Sequence, residues 1–396
     1  MLKIQKKDGS IEAFSSQKIV SAIRKSANRA MYDLSDEQCR RVVDLTLAHL
    51  AEHGGDVAPV ANVHNAVERA LDDVAPDVAK CYRDYRNYKQ DFVHMLDDVY
   101  RKSQAIRYIG DRNNANTDSA LVPTQRSLIY NELSSALYKK FFLNREEREA
   151  MKDGYIYIHD RSARLDTMNC CLFDMENVLT GGFEMGNVWY NEPKTLDVAF
   201  DVISDVAISA AACQYGGFTI PEVDKILAPY AEKSYQKYFE EYTKIAVYNN
   251  LGDHEDVLTA ADEYAVKKVQ RDMEQGFQSW EYRFNTVGSS RGDYPFIAVS
   301  FGLDNSRFGR MASMTCMNVR AGGQGAAGHK KPVLFPKLTF LYDEELHGEG
   351  KPMEDVFECG VDCSTKAMYP DFLSLTGEGY IPSMYKKYGR VVSLMG

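Results

Sequence analysis

The chain has 396 residues, of which 44% are hydrophobic and 26% charged, and its formal net charge is −10. This composition is ordinary for a globular protein of two or three domains, and the acidic balance argues against a broad nucleic-acid-binding surface. No run of about 18 apolar residues predicts a membrane span, and the N-terminus leads into an alternating strand rather than a signal-peptide core. We therefore expect a cytoplasmic protein with no membrane or nucleic-acid partner.

The eight cysteines are scattered along the chain and do not form the framework of a disulfide-rich domain. There is no Cys-x-x-Cys pair, and Cys359 and Cys363 have no second pair of ligands nearby in the sequence. The sequence therefore predicts no metal site in this chain.

Residues 1–92 predict a small α+β domain. Two short alternating runs flank Asp8-Gly9, a pair that tolerates the positive φ angles of a tight turn, and this pattern predicts a β-hairpin. A serine opens the first helix, and a capping box at Ser35 opens the second. Two more helices follow, so that we expect one hairpin and a bundle of four helices.

The rest of the chain has a different pattern. Residues 93–118 are polar and charged, which indicates a linker or an ordered arm. From residue 119 to 396, short apolar runs alternate with helical stretches, which is typical of a parallel α/β sheet covered on both faces. The predicted strands cover residues 155–158, 170–173, 296–301, 338–341 and 391–394, and the predicted helices cover 197–213, 221–248 and 257–280.

Polar motifs at the ends of these predicted strands are candidates for chemistry. They are His159-Asp160, Met168-Asn169-Cys170-Cys171, Cys213-Gln214-Tyr215-Gly216-Gly217, Arg291-Gly292-Asp293 and Lys331-Pro332-Val333-Leu334-Phe335-Pro336. Taken alone, the cysteine pair favours core packing, since free cysteine is among the most buried residue types. A histidine at a strand end is either held by its neighbour or free to contact a substrate. The glycine pair indicates a tight turn or a substrate loop.

The N-terminal domain resembles an ATP-cone, the allosteric nucleotide-binding domain of many ribonucleotide reductases. The basic hairpin, the helix that begins near Lys18 and the terminal Tyr82-Arg83-Asp84-Tyr85-Arg86 carry the likeness. The resemblance implies that ATP activates, that dATP inhibits and that Mg²⁺ accompanies the nucleotide. The contact residues that it implies are Lys6, Lys7, Gly9, Lys18 and Ile19. The alternative for the two hairpin lysines is a solvated strand edge.

The series of motifs from residue 119 to 396 resembles, in order, the catalytic domain of the anaerobic, class III ribonucleotide reductases. These are glycyl radical enzymes built on a ten-stranded α/β barrel. The resemblance implies that ribonucleoside triphosphates are reduced to 2′-deoxyribonucleoside triphosphates, with formate or a redoxin as reductant. It also implies a radical-SAM activating enzyme, other dNTP effectors and a homodimer or higher oligomer.

The family places one cysteine on the substrate face, opposite the radical cysteine, and Asn169-Cys170-Cys171 matches that position. Adjacent strand residues point to opposite faces, so only one of the two cysteines should face the barrel lumen. We favour Cys170, with Asn169 beside it, but the sequence leaves Cys171 open. The substrate-binding residues that the resemblance implies are His159, Gln214, Ser289 and Arg291.

Two parts of the family pattern do not occur in this sequence. The family has a C-terminal glycyl radical loop and a neighbouring four-cysteine Zn²⁺ site. In addition, in the family a strand that ends like residues 393–396 is followed at once by the cysteine that carries the thiyl radical. We therefore expect an incomplete barrel, with the glycyl radical and Zn²⁺ on a segment outside this chain. Two alternatives stay open: a glycyl radical enzyme of the formate-lyase type, which the ATP-cone disfavours, and a non-catalytic nucleotide-binding regulator.

Overall fold

The computed structural model describes residues 2–52, 55–109, 121–164, 168–286, 292 and 294–389. The chain divides into two compact units, Met1–Arg101 and Lys102–Gly396, and each is described here by itself. Among the described residues, no helix combines the length and the apolar character needed to cross a membrane.

Unit 1 contains a three-stranded sheet and four helices. In the sheet, β1 pairs with β2 in antiparallel and with β3 in parallel orientation. The elements are β1 (Lys3–Gln5), β2 (Ile11–Ala13), α1 (Ser16–Arg29), α2 (Asp36–Ala51), β3 (Val57–Pro59), α3 (Val60–Val74) and α4 (Pro76–Ile109). The predicted hairpin and four helices are confirmed. The three residues of β3 are too few to produce a recognisable alternation in the sequence.

Local signals in the sequence explain the beginnings of these elements. Gly9 takes a φ of 84° in the hairpin turn, and the Asp8 carboxylate accepts a hydrogen bond from the backbone N–H of Ser10. The predicted capping box is confirmed: Ser35 Oγ accepts from the N–H of Gln38, and Gln38 Oε1 accepts from the N–H of Ser35. The apolar faces of the four helices then form one core.

The predicted linker 93–118 begins inside α4, which continues to Ile109. The side chains of this part of the helix are mostly exposed, so its sequence is as polar as that of a linker. Composition alone therefore cannot separate an exposed helix from an extended segment. Residues 110–118 lie outside the described residues.

Unit 2 is built around a five-stranded parallel sheet with the order β10-β9-β8-β7-β4. A small antiparallel hairpin, β5-β6, stands apart from it. The strands are β4 (Cys171–Leu172), β5 (Phe183–Met185), β6 (Val188–Tyr190), β7 (Phe218–Ile220), β8 (Ile297–Phe301), β9 (Lys337–Tyr342) and β10 (Asp371–Ser374). The helices are α5 (Val122–Phe141), α6 (Arg145–Lys152), α7 (Met175–Leu179), α8 (Leu196–Ala212), α9 (Val223–Tyr248), α10 (His254–Phe284), α11 (Arg307–Gly322), α12 (Glu344–His347), α13 (Glu354–Ala367) and α14 (Tyr380–Tyr388).

The core of unit 2 lies between the sheet and its long helices. All five residues of β8 are buried, as expected for a central strand covered on both faces. In α10, Trp280 is 1% exposed, packs on Phe200 of α8 and donates its indole N–H to the Phe200 carbonyl at 2.9 Å. These contacts hold α10 against α8 in the helical layer.

The predicted α/β class and parallel sheet are confirmed, as are the strands at 296–301 and 338–341 and the three long helices. In the described part of the chain, β4 and β10 each have a neighbour on one side only. The strand predicted at 170–173 shortens to Cys171–Leu172. The strand predicted at 391–394 lies outside the described residues.

The strand predicted at 155–158 is wrong. These residues have no regular secondary structure, and the side chains of Tyr155 and Tyr157 are more than four-fifths exposed. The segment follows a turn at Gly154, where the N–H of Tyr155 bonds back to the carbonyl of Ala150. The alternation suggested a strand, but the segment lies in no sheet.

Candidate functional site

The predicted active-site residues of unit 2 lie where two parallel strands begin. Asn169 and Cys170 directly precede β4, and Gln214 and Gly216 belong to the turn that precedes β7. The two entry segments are themselves hydrogen-bonded, because the N–H of Gly216 donates to the carbonyl of Asn169. Since β4 and β7 are neighbours, these residues are brought to one edge of the sheet although more than forty positions separate them in the sequence.

The two adjacent cysteines have different environments. Cys171 is half-buried against the core, and its thiol donates to Gln214 Oε1 at 2.9 Å. Burial, and secondarily the neighbouring Cys170, raises the pKa of the Cys171 thiol, so this group stays protonated. Cys170 is exposed. The pair therefore divides as adjacent strand residues should, with Cys171 toward the core and Cys170 toward the open edge.

Gly216 allows the close approach of the two strand entries. A Cβ at this position would lie 2.5 Å from Cys170 Sγ and 2.7 Å from Asn169 Oδ1, distances that real Cβ atoms essentially never show. The backbone conformation does not require glycine here, so the reason is space. The glycine pair that the sequence presented as a turn or a substrate loop thus sets the position of Cys170.

A chain of polar contacts continues from Asn169. Its Nδ2 donates to Asp160 Oδ2 at 3.2 Å, and the same oxygen lies 2.7 Å from His159 Nδ1. The His159 side chain is 75% exposed, so a ligand has access to it. The structure therefore links His159, through Asp160, to Asn169 and its neighbour Cys170, whereas Gln214 contacts Cys171; the roles of these residues stay predictions. Ser289 and Arg291 lie outside the described residues.

In unit 1, the predicted nucleotide-contacting residues divide into three groups. The Glu12 carboxylate binds Lys6 Nζ and Lys18 Nζ, each at 2.8 Å, on the surface. Gly9 forms the hairpin turn. Ile19 is 6% exposed and belongs to the hydrophobic core. Ile19 therefore packs in the core and is not placed to contact a nucleotide. The resemblance implied a contact because Ile19 lies next to Lys18 in α1.

A second group in unit 1 was missed by the sequence reasoning. His64 Nδ1 lies 2.7 Å from the hydroxyl of Tyr82, whose pKa burial raises to about 12. Burial, followed by the positive charge of Arg86 and then of Lys7 and Lys89, lowers the pKa of His64. The sequence shows a histidine beside the apolar face of α3, but it does not show that cations from distant segments lie near it. These three cations act on His64 together with Glu68, which pairs with Arg86 at 2.7 Å and opposes their effect.

Metal ligands do not gather in the described part of the chain: no three His, Cys, Asp or Glu side chains there are arranged to hold an ion. The two cysteines of α13, Cys359 and Cys363, are bonded to protein groups. Cys359 donates to Asn318 Oδ1 at 3.6 Å, and Cys363 donates to the carbonyl of Met317 at 3.2 Å. Burial raises the pKa of Cys363 to about 11, which disfavours the thiolate that a metal requires.

Comparison with known proteins defines the class of this molecule. Residues 2–91 match the profile of the ATP cone domain, and residues 113–396 match that of the anaerobic ribonucleoside-triphosphate reductases. Because the second match covers more than half of the chain, this chain belongs to the anaerobic ribonucleoside-triphosphate reductase family.

Curated relatives agree with this assignment. The chain is 31% identical to the anaerobic ribonucleoside-triphosphate reductase of Haemophilus influenzae over 93% of its length, covering 51% of that protein. It is 30% identical to the enzyme of Escherichia coli, and the match covers 94% of this chain and 51% of that enzyme. It is 33% identical to the enzyme of Enterobacteria phage T4, and the match covers 66% of this chain and 41% of that enzyme. The chain thus spans about half the length of the curated relatives it matches.

Solved structures include a crystal structure of the anaerobic ribonucleotide reductase from Thermotoga maritima in complex with dATP and CTP. It matches 72% of this chain and 49% of that chain, with 14% sequence identity and a TM-score of 0.42. The family assignment rests on the sequence profiles and not on this likeness.

Proposed function

We propose that this chain takes part in the anaerobic reduction of ribonucleoside triphosphates to 2′-deoxyribonucleoside triphosphates, and so in deoxyribonucleotide synthesis for DNA replication. The observation that carries the proposal is the exposed thiol of Cys170, which lies beside Asn169 at the open edge of the sheet, where Asn169 is linked through Asp160 to His159. A redox-active thiol beside neutral hydrogen-bonding groups suits a sugar whose hydroxyls must be held while hydrogen atoms are exchanged.

The residues of the edge have separate roles in this proposal. Cys170 supplies a hydrogen atom to the sugar while the 2′-hydroxyl leaves as water, and formate, oxidised to CO₂, or a redoxin dithiol, oxidised to a disulfide, provides the reducing electrons. Asn169 and His159 hold sugar hydroxyls. Cys171 stays a neutral thiol bound to Gln214 and acts in packing. The family's glycyl radical would supply the cysteine thiyl radical that abstracts the first hydrogen atom from the sugar.

Unit 1 binds ATP as activator and dATP as inhibitor in this proposal, each with Mg²⁺. The hairpin lysines Lys6 and Lys7 and the α1 lysine Lys18 contact the phosphates, and the cations around His64 extend this positive surface. A triphosphate must compete with Glu12, which occupies two of the lysines in the absence of ligand. The proposal also includes dNTP effectors, a radical-SAM activating enzyme, a homodimer or higher oligomer and a cytoplasmic location.

Paired cysteine variants test the catalytic proposal in the full-length reductase. Cys170→Ser should abolish deoxynucleotide formation, because a serine O–H does not readily give up a hydrogen atom. Cys171→Ser is the matched comparison, since serine can still donate to Gln214, and it should keep most of the turnover. Anaerobic product analysis decides the matter. Wild-type turnover in Cys170→Ser would show that this thiol has no part in the reaction.

A further inference from the structure

One carboxylate beside Cys170 has no role in the function proposed above. Asp160 Oδ2 accepts from His159 Nδ1 at 2.7 Å and from Asn169 Nδ2 at 3.2 Å. The Asp160 side chain is 20% exposed, whereas that of His159 is 75% exposed. Asp160 is therefore the enclosed centre of this chain of contacts, and His159 is the end that a ligand can reach.

The contact with Asp160 determines which nitrogen of His159 is free. A carboxylate only accepts hydrogen bonds, so Nδ1 carries the hydrogen and Nε2 of the neutral ring keeps its lone pair. The ring also lies edge-on to Tyr157, with 6.1 Å between centroids and an interplanar angle of 74°. His159 therefore presents a fixed hydrogen-bond acceptor, which Asp160 links to Asn169.

The backbone of Asp160 restricts which residues can do this. Its φ of 51° and ψ of 43° are left-handed, a conformation that only Gly, Asn and Asp adopt at low cost. Among these three, only Asp has a carboxylate that can accept from both neighbours. The position thus requires both a left-handed backbone and a carboxylate. Substitution by Asn or Gly keeps the backbone conformation and changes only the side chain, so the role of the carboxylate can be tested by itself.

We propose that Asp160 is a positioning residue for the ribonucleotide. It fixes His159 in the tautomer with hydrogen on Nδ1 and aligns Asn169, so that His159 Nε2 accepts a hydrogen bond from a sugar hydroxyl. This inference rests on the proposed function, because it takes the ligand at this edge to be a ribonucleotide. A hydroxyl is the matching partner, since it can donate to Nε2 and accept from the Asn169 amide.

The tautomer can be measured on the whole chain by ¹⁵N magnetic resonance with labelled histidine, the His159 signal being assigned by its loss in His159→Gln. Wild type should show hydrogen on Nδ1. Asp160→Gly keeps the backbone conformation and should lose the fixed tautomer, whereas Asp160→Asn keeps one acceptor oxygen and should retain it in part. Asn250→Gly, at another left-handed position with φ 50°, is the control and should change nothing. Hydrogen on Nε2 in wild type would overturn the proposal.

Binding of CTP, with unit 1 saturated by ATP, separates this proposal from the function on which it rests. Asp160→Gly should weaken CTP binding about tenfold, as expected for one lost hydrogen bond, and should have a smaller effect in a His159→Gln background, where only the alignment of Asn169 is left to lose. Unchanged CTP affinity in Asp160→Gly would refute the positioning role and leave the function standing. If CTP neither binds wild type nor shifts the His159 signal, the proposed substrate site fails and the sugar contact fails with it.

Discussion

At the scale of single residues, the candidate site depends on contacts that leave little room for change. Cys170 is exposed, yet its position is set by Gly216 from one side and by its neighbour Asn169 from the other. Cys171, one position further, is held by Gln214 and the core. Whether each cysteine can reach a ligand therefore depends on the side chains that surround its thiol.

Gly216→Ala tests this dependence without altering any polar group. The new methyl group would overlap Cys170 Sγ and Asn169 Oδ1, so the strand entries must separate. We expect reductase turnover in the full-length enzyme to fall at least tenfold while the chain stays folded. Gly322→Ala is the control, because a Cβ there meets nothing within 4 Å. Normal turnover in Gly216→Ala, with circular dichroism unchanged, would contradict the proposed geometry.

A buried histidine should make the stability of unit 2 depend on pH. His347 Nε2 donates to the carbonyl of Gly302 at 2.8 Å, so Nδ1 of the neutral ring accepts from the N–H of Asp343. Burial lowers the pKa of His347 below its usual 6.5. The unfolded chain therefore binds the proton first, and the stability from this residue is complete above pH 6.5 and declines as the pH falls below that value.

Thermal unfolding between pH 7 and pH 5 measures this effect. The melting temperature of wild type should fall over this range by more than that of His347→Gln, whose amide can still donate to Gly302 but does not titrate. Burial raises the pKa of the nearby Asp224, but Asp224 is common to both proteins and cancels in the comparison. Parallel melting curves for the two proteins would show that His347 does not control the response.

At the scale of elements, α10 organises the edge at which the site lies. Near its C-terminal end, Asn285 Oδ1 accepts from the N–H groups of Leu334 and Phe335, which precede β9. One turn earlier, Glu281 binds Arg320 of α11 at 2.6 Å, and both side chains are at least 96% buried. Arg320 also donates to the carbonyl of Pro336 at 2.7 Å. One helix thus anchors both ends of the loop between α11 and β9.

Removing one partner of this ion pair should be costly. Glu281→Ala leaves the Arg320 guanidinium buried without its carboxylate, and we expect a loss of about 3–5 kcal/mol in the free energy of unfolding. Arg320→Met in the Glu281→Ala background removes the isolated charge and should recover part of that loss. Denaturant unfolding of the single and double variants gives the comparison. A double variant less stable than Glu281→Ala alone would contradict the electrostatic explanation.

The same scale shows what could be predicted from the sequence. The helices α8, α9 and α10 are long and strongly patterned, so local signals were sufficient. Asn169, Cys170 and Gln214 could be singled out because each occurs in a short motif next to a strand, and their roles stay predictions. The cluster around His64 was missed because its cations come from the hairpin and from α4, which only tertiary folding brings together. The strand at 155–158 failed because alternation does not reveal whether a neighbouring strand exists.

At the scale of the whole molecule, charge distribution separates the two kinds of ligand site in the proposal. The chain carries a net charge of −10, so a nucleotide triphosphate meets an unfavourable overall field. Binding to unit 1 must therefore depend on its local cations. The edge around Cys170 in unit 2 instead offers hydrogen-bonding side chains with the carboxylate of Asp160 among them, which suits recognition of a sugar.

Binding of dATP to the whole chain should reflect this arrangement. Lys7→Ala removes a cation that acts on His64, and we expect the dissociation constant to rise about tenfold, the effect of losing one charge-assisted phosphate contact. Lys25→Ala is the control, since it removes the same charge from the exposed surface of α1 outside the hairpin.

The difference in dATP affinity between the two variants should shrink as salt rises, because exposed charges are screened over about 8 Å at 0.15 M ionic strength. Calorimetry at two salt concentrations measures both effects. Equal affinities for Lys7→Ala and Lys25→Ala would mean that net charge, and not the cluster around His64, controls binding.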